Sequence, residues 1–177
     1  YEITTRLVGS EMCIRDSYAY YFIARKLAEL ERKDLLGAVS KQFNTHLYTP
    51  NATPELPEII NCGPIDYYNH MPYVFNNSRI NLNISLRSIR SGIPLRAMDI
   101  MGCNGFLLSN YQADFYDFFV PGEDMAVFES KEDLINKCDY YLEHDNERRQ
   151  IAANGFGKVN EFHTYKVRLK EIFDVVF

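Results

Sequence analysis

The sequence predicts an α/β fold: a Rossmann-like parallel sheet with helices on both faces, followed by C-terminal helices. Two observations support this fold class. Short apolar runs that end in turn residues alternate with longer segments whose apolar residues recur every three or four positions. The chain then closes with two consecutive segments of helical spacing. Strand and helix alternate in this way when helices connect the strands of a parallel sheet.

Composition limits the classes of partner. With 177 residues, 46% of them hydrophobic and 24% charged, the chain is expected to form one globular domain. The net charge of −5 argues against a nucleic acid or an anionic membrane surface as the main partner. No apolar run approaches the roughly 20 residues of a membrane span. The four cysteines form no Cys-x-x-Cys pair, which argues against a zinc site and favours a reducing, cytoplasmic location.

The N-terminal residues are set apart from this domain. The chain does not begin with methionine, and we interpret it as a fragment of a longer protein. Val8–Ser17 resembles translated sequencing-adaptor read-through, so residues 1–17 are expected to be a non-native or disordered tail. The alternative is a genuine N-terminal tail. The predicted domain comprises residues 18–177.

The first predicted elements are helices and short strands. In Tyr18–Phe43, apolar residues recur every three or four positions with charged residues between them, which predicts one helix or two helices broken near Gly37. Short runs closed by proline, asparagine or glycine predict strands at His46–Thr49 and Glu58–Gly63. A helix is predicted at Tyr67–Asn77.

A third strand is predicted at Ile80–Ser85, where apolar and polar side chains alternate strictly. Asn81 and Asn83 lie opposite its apolar face. Because an amide is costly to bury without a hydrogen-bond partner, we expect these asparagines to lie near the edge of the sheet or to face a polar cleft.

The second half of the chain continues the alternation. Ser130, followed three residues later by Asp133, predicts the N-terminus of a helix by an approximate capping box. The predicted strands are Phe106–Leu108 and Met125–Phe128, and the predicted helices are Tyr111–Phe119, Lys131–Leu142, Asn146–Phe162 and Tyr165–Phe177.

The segment from Gly92 to Asn110 carries the strongest functional signal. A turn at Gly92 and Pro94 leads into a short helix that contains Arg96 and Asp99. Ligands bind to open α/β sheets where strand ends meet helix starts, because free backbone N–H groups and the helix dipole converge there. A carboxylate at this place is suited to ribose hydroxyls, and an arginine one turn away is suited to a phosphate. The segment therefore predicts a nucleotide-sugar site.

Each candidate residue of this site also has a purely structural interpretation. Asp99 is either the ribose ligand or a solvated carboxylate on a helix surface. Arg96 either contacts a donor phosphate or pairs with Asp99 at i, i+3. Ser109 and Asn110 either bring backbone N–H groups and small side chains close to a pyrophosphate or cap the helix predicted to follow them.

Residues outside this segment are candidates for the same cleft. Arg87 and Arg90 are either cations that offset the charge of a leaving diphosphate or surface arginines. The polar run Tyr67–His70 follows a turn at a strand end and is expected to line the cleft. The chain has no Asp-x-Asp motif, so neither a metal nor another cofactor is expected.

The run from Arg96 to Leu108, Arg-Ala-Met-Asp-Ile-Met-Gly-Cys-Asn-Gly-Phe-Leu-Leu, resembles the donor-binding segment of GT-B glycosyltransferases of the group 1 type. More narrowly, it is similar to the group that includes CgeB-like spore-maturation proteins. Their pattern has an arginine at the position of Arg96 and a carboxylate at that of Asp99. The resemblance continues through later sequence motifs, which occur in the same order as in the family, and it covers most of residues 60–165.

The resemblance implies that this chain is one half of a GT-B fold, the C-terminal domain that binds the nucleotide-sugar. The intact enzyme would transfer the sugar to a hydroxyl of a glycan, lipid or protein acceptor. An N-terminal domain, which is missing from this chain, would bind the acceptor, and the fragment alone would be inactive. Many retaining members carry a second carboxylate near the position of Ser91. The alternative from another class is a non-catalytic Rossmann-like binding or partner-docking module.

Overall fold

The computed structural model describes residues 2–85 and 91–176, with side chains from Tyr20 onward. The described chain contains seven helices and five short strands. In chain order they are α1 (Glu2–Ser40), β1 (His46–Leu47), β2 (Ile60–Asn61), α2 (Met71–Asn77), β3 (Asn81–Asn83), α3 (Leu95–Gly102), β4 (Leu107–Asn110), α4 (Phe115–Phe118), β5 (Ala126–Phe128), α5 (Lys131–Glu143), α6 (Asp145–Phe162) and α7 (Tyr165–Val176).

The described strands pair only in parallel. β4 lies between β3 and β5, with Asn81 opposite Leu107 and Leu108 opposite Ala126. β1 and β2 form a separate parallel pair. A parallel pair needs a crossover connection, which contains α3 between β3 and β4 and α4 between β4 and β5, whereas β1 and β2 are connected without a helix. The predicted fold class is confirmed.

Helices cover both faces of the three-stranded sheet. Successive residues of β4 point to opposite faces, so Leu108 and Leu107 belong to different core clusters. The first cluster contains apolar side chains of α1, α5 and α6, and the second contains those of α2, α3 and the C-terminal part of α6. The site helix α3 and the helix α5 therefore cover opposite faces.

Asn81 and Asn83 were expected near the edge of the sheet or facing a polar cleft, and the edge position is confirmed. β3 is an outer strand of the three-stranded sheet, and both of its asparagines are buried with partners. The Nδ2 of Asn81 donates to the carbonyl oxygens of Phe75, at 2.8 Å, and Phe106, at 3.3 Å. The Nδ2 of Asn83 donates to the Oγ of Ser109 at 2.9 Å. These bonds offset the desolvation of the amides.

α1 is one helix that passes through Gly37, so of the two alternatives the single helix is observed. Its C-terminal part is anchored: Leu35 and Val39 are buried in the first core cluster, and Arg32 donates to the carbonyl oxygen of Ile84 at 2.9 Å. The backbone of residues 2–17 continues the helix. That these residues lie outside the evolved domain stays a prediction.

Two predicted helices are shorter than the periodicity indicated. The helix predicted from Tyr67 begins only at Met71, because the Asp66 side chain binds the backbone N–H groups that follow it and holds a turn there. The helix predicted from Tyr111 begins only at Phe115. No described helix is long and apolar enough to cross a membrane.

Candidate functional site

The candidate site lies at the carboxyl edge of the three-stranded sheet. α3 returns from the end of β3 to the start of β4, so its first turn is at this edge. The approach to α3 is fixed by Gly92, which adopts a φ of +91° and donates its N–H to the Asp114 carboxylate. This bond connects the loop after β3 to the loop after β4. The two loops therefore meet beside the α3 N-terminus.

Asp99 lies on the second turn of α3 and is half-buried. Its Oδ2 accepts a hydrogen bond from the hydroxyl of Tyr67, which comes from the loop after β2. Burial, and then the hydrogen bond and charge of Asp99, raise the pKa of Tyr67 to about 12, although the positive charge of Arg96 opposes the rise. Tyr67 therefore stays protonated at neutral pH, and its hydroxyl donates a hydrogen bond to the Asp99 carboxylate.

The loop that carries Tyr67 is ordered by Asp66. The Oδ1 of Asp66 accepts the backbone N–H groups of Tyr68, at 3.0 Å, and Asn69, at 2.6 Å. The hydrogen bond from the Asn69 backbone is the largest of the causes that lower the pKa of Asp66. This carboxylate is thus ionised at neutral pH and holds the turn that directs Tyr67 toward α3.

Arg96 lies one turn before Asp99 and is exposed to solvent. Within the described part of the chain, no ion pair joins Arg96 to Asp99, so the structural alternative of an i, i+3 pair is not observed. Arg96 is nevertheless close enough for its charge to lower the pKa of Tyr67. Arg96 and Asp99 thus lie one turn apart on the same short helix.

Ser109 and Asn110 turn their side chains into the protein. Ser109 is fully buried, and its hydroxyl accepts from Asn83 and donates to the Asn110 carbonyl oxygen at 3.1 Å. The Asn110 amide binds the backbone of Ser85 twice, at 2.8 Å and 3.0 Å. The alternative that these residues cap the next helix is wrong, because α4 begins at Phe115. Arg90 and Arg87 lie outside the described residues.

The turn after α3 packs closely against the sheet. Asn104 has a φ of +58°, and a Cβ on Gly105 would lie 2.6 Å from the Phe75 carbonyl oxygen. Burial and the nearby charge of Asp99 raise the pKa of the Cys103 thiol. Cys103 is therefore a neutral thiol beside the site, and it packs against the second core cluster.

Tyr67, from the run Tyr67–His70, contacts Asp99, which was not predicted. The two residues are 32 positions apart in the sequence, and no local pattern indicated their contact. That this run lines a ligand cleft stays a prediction. Tyr68 is 88% exposed and packs edge-on against the Tyr67 ring. The described side chains include no cluster of three or more potential metal ligands. That no metal is required stays a prediction.

Comparison with known proteins shows the family and the fold of the chain. Residues 23–174 match the protein family described as glycosyl transferase-like. The chain belongs to this family. The match spans the whole domain from α1 to α7, including the helix with Asp99. A comparison with curated proteins found no significant match.

Two solved structures share the fold of this glycosyl transferase-like domain. The C-terminal domain of a group 1 family glycosyl transferase from Francisella tularensis is 19% identical, with a TM-score of 0.61, and the match covers 76% of this chain and 80% of that one. Sucrose-phosphate synthase from Thermosynechococcus elongatus is 13% identical, with a TM-score of 0.64. This second match covers 82% of this chain and 42% of that one. The structural likeness supports the assignment of a GT-B half-domain.

Proposed function

We propose that this domain is the donor-binding half of a glycosyltransferase and that it holds the ribose of a nucleotide-sugar through Asp99. The observation that carries the proposal is the Asp99 carboxylate, held by Tyr67 at the carboxyl edge of a parallel sheet, one turn after Arg96. A carboxylate that already accepts one hydrogen bond on Oδ2 has Oδ1 for a ribose hydroxyl.

The rest of the proposed site stabilises the diphosphate. The N-terminus of α3 carries a positive partial charge, and the exposed Arg96 adds a full one. Ser109 and Asn110 stay proposed donor-site residues on sequence grounds, although β4 is paired with both β3 and β5 and both side chains are used within the protein. On sequence grounds Arg90 remains a proposed cation of the same site. These groups would offset the charge that develops on the departing diphosphate.

The proposed reaction requires a longer protein. We propose that an N-terminal domain binds the acceptor hydroxyl and that this domain alone transfers no sugar. The domain contains the donor half of the cleft, so weak nucleotide binding is its testable property. The cytoplasm is the proposed location, which the free thiols of Cys62, Cys103 and Cys138 support.

The test is nucleotide binding to Asp99→Asn. We expect uridine, guanosine or adenosine diphosphate to bind the wild type with a Kd in roughly the high-micromolar to millimolar range. Asp99→Asn should weaken this binding about ten-fold without changing the fold, since a charge-assisted hydrogen bond is lost. Ligand-observed NMR titrations measure both values.

The matched control is Asp139→Asn, which removes an exposed carboxylate from α5 on the opposite face of the sheet and should leave affinity unchanged. Titrations that stay flat to about 10 mM for all three diphosphates would contradict donor binding and favour a non-catalytic module. Equal affinity of wild type and Asp99→Asn would remove Asp99 from the site.

A further inference from the structure

We infer that Tyr67 is a positioning residue, which fixes the Asp99 carboxylate so that one oxygen faces the ribose and makes the site selective for ribonucleotides. This inference rests on the proposed function and deepens it. It assigns the selectivity to a loop after β2, outside the segment in which Asp99 and Arg96 lie.

The geometry gives Tyr67 control over a side chain that would otherwise rotate. An aspartate on a helix has two side-chain torsions, and the one at the carboxylate has broad preferences. The Tyr67 hydroxyl donates to Oδ2, and no other described residue donates to this carboxylate. With Oδ2 held, the direction of Oδ1 is determined as well. A ribose hydroxyl then meets an acceptor that is already oriented, so less entropy is lost on binding.

Tyr67 can fulfil this role because its own loop is held at both ends. At the start, the Gly63 N–H donates to Oδ1 of Asn61 at 2.9 Å. In the middle, Asp66 binds two backbone N–H groups of the turn. At the end, α2 is buried in the second core cluster through Met71 and Phe75. The ring of Tyr67 is thereby directed toward α3 before any ligand arrives.

The protonation of Tyr67 suits the same role. With a pKa raised to about 12, its hydroxyl donates over the whole physiological range. The donated hydrogen bond keeps Asp99 as an acceptor and leaves recognition of ribose to its other oxygen. A nucleotide without the 2′ and 3′ hydroxyls has no group to offer this oxygen.

The experiment compares a nucleoside diphosphate with its 2′,3′-dideoxy counterpart. The wild type should prefer the ribonucleotide, and Tyr67→Phe should reduce this preference about five-fold, the effect of one lost hydrogen bond. Tyr68→Phe is the matched control, since it removes a hydroxyl from the neighbouring, highly exposed ring and should keep the preference. Adding Tyr67→Phe to Asp99→Asn should cause no further loss of the preference for the ribonucleotide, because both residues act through one contact.

The outcomes separate this inference from the proposed function. A wild type that binds no diphosphate, or binds both forms equally, overturns the proposed function and with it the role of Tyr67. A wild type that prefers the ribonucleotide, with Tyr67→Phe keeping that preference in full, overturns the positioning role alone. A thermal unfolding curve of Tyr67→Phe that matches the wild type excludes a general loss of structure as the cause.

Discussion

Two glycines in α6 show how single residues determine the packing of the site helix. Gly155 is buried where α6 crosses α3, and a Cβ there would lie 2.4 Å from the Asp124 carbonyl oxygen and 3.3 Å from the Met101 sulfur. Gly157 lies in the same helix, is exposed, and has no atom within 4 Å of its Cβ position. The same substitution at these two positions therefore has opposite consequences.

We predict that Gly155→Ala destabilises the domain by about 1–3 kcal/mol, because the backbone of the loop before β5 must shift. Gly157→Ala should instead stabilise it by about 0.5–1 kcal/mol, since alanine has the higher helix propensity. Urea unfolding of the two variants measures both changes. A stabilised Gly155→Ala would show that α6 does not approach Asp124 this closely.

At the scale of elements, His163 joins α6, α4 and α7. It lies at the C-cap of α6, stacks on Phe119 with ring centroids 5.2 Å apart, and its Nδ1 accepts a hydrogen bond from Arg168 at 2.7 Å. Burial, and then the charge of Arg168, lower the pKa of His163, while Glu171 opposes the shift. The histidine is therefore neutral in the folded protein at neutral pH.

This arrangement predicts a loss of stability in acid. The unfolded chain binds the His163 proton more tightly, so the free energy of unfolding falls as the pH drops below the unfolded histidine pKa of about 6.5. The loss ends once the pH is below the lowered pKa of the folded state. His163→Gln keeps an acceptor for Arg168 but does not titrate, so its stability should fall less between pH 7.5 and 5.5. If the free energy of unfolding, measured in urea, fell equally with pH in the wild type and in His163→Gln, this prediction would be contradicted.

At the scale of the whole molecule, α1 is attached by its C-terminal end. The apolar side chains of its preceding part are exposed, among them Phe22, at 66%, and Leu27, at 61%, whereas Leu35 is 5% exposed. Lys131 of α5 pairs with Asp34 at 3.0 Å in the same anchored region. Among the described side chains of α1, from Tyr20 onward, those that hold it to the domain therefore lie in its last three turns.

We predict that the chain without residues 1–17 keeps the fold and nearly the same stability. Chemical denaturation should show a difference below about 2 kcal/mol, less than the loss of a packed segment. Leu35→Ala is the positive control, expected to cost about 2–4 kcal/mol because it removes a buried side chain. A larger loss on truncation would show that the N-terminal residues belong to the domain.

The sequence by itself determined the features that depend on neighbours within a few residues. Alternating strand and helix patterns identified the parallel fold, and Ser130 marked the start of α5, where its side chain accepts the Asp133 N–H. The asparagine alternation in β3 also indicated an edge strand. Local hydrogen bonds and the periods of helix and strand depend on residues that are close in the sequence, so no tertiary information was needed to predict them.

Tertiary structure alone decided which distant residues meet. The contact of Tyr67 with Asp99 depends on the paths of two loops from different strands, and the inward turn of Ser109 depends on the register that places Asn83 opposite it. Periodicity also overestimated the helix before Phe115, where the Asp114 carboxylate binds Gly92 instead. In each case the partner lies more than twenty residues away, and its position follows from the packing of the whole domain rather than from any local pattern.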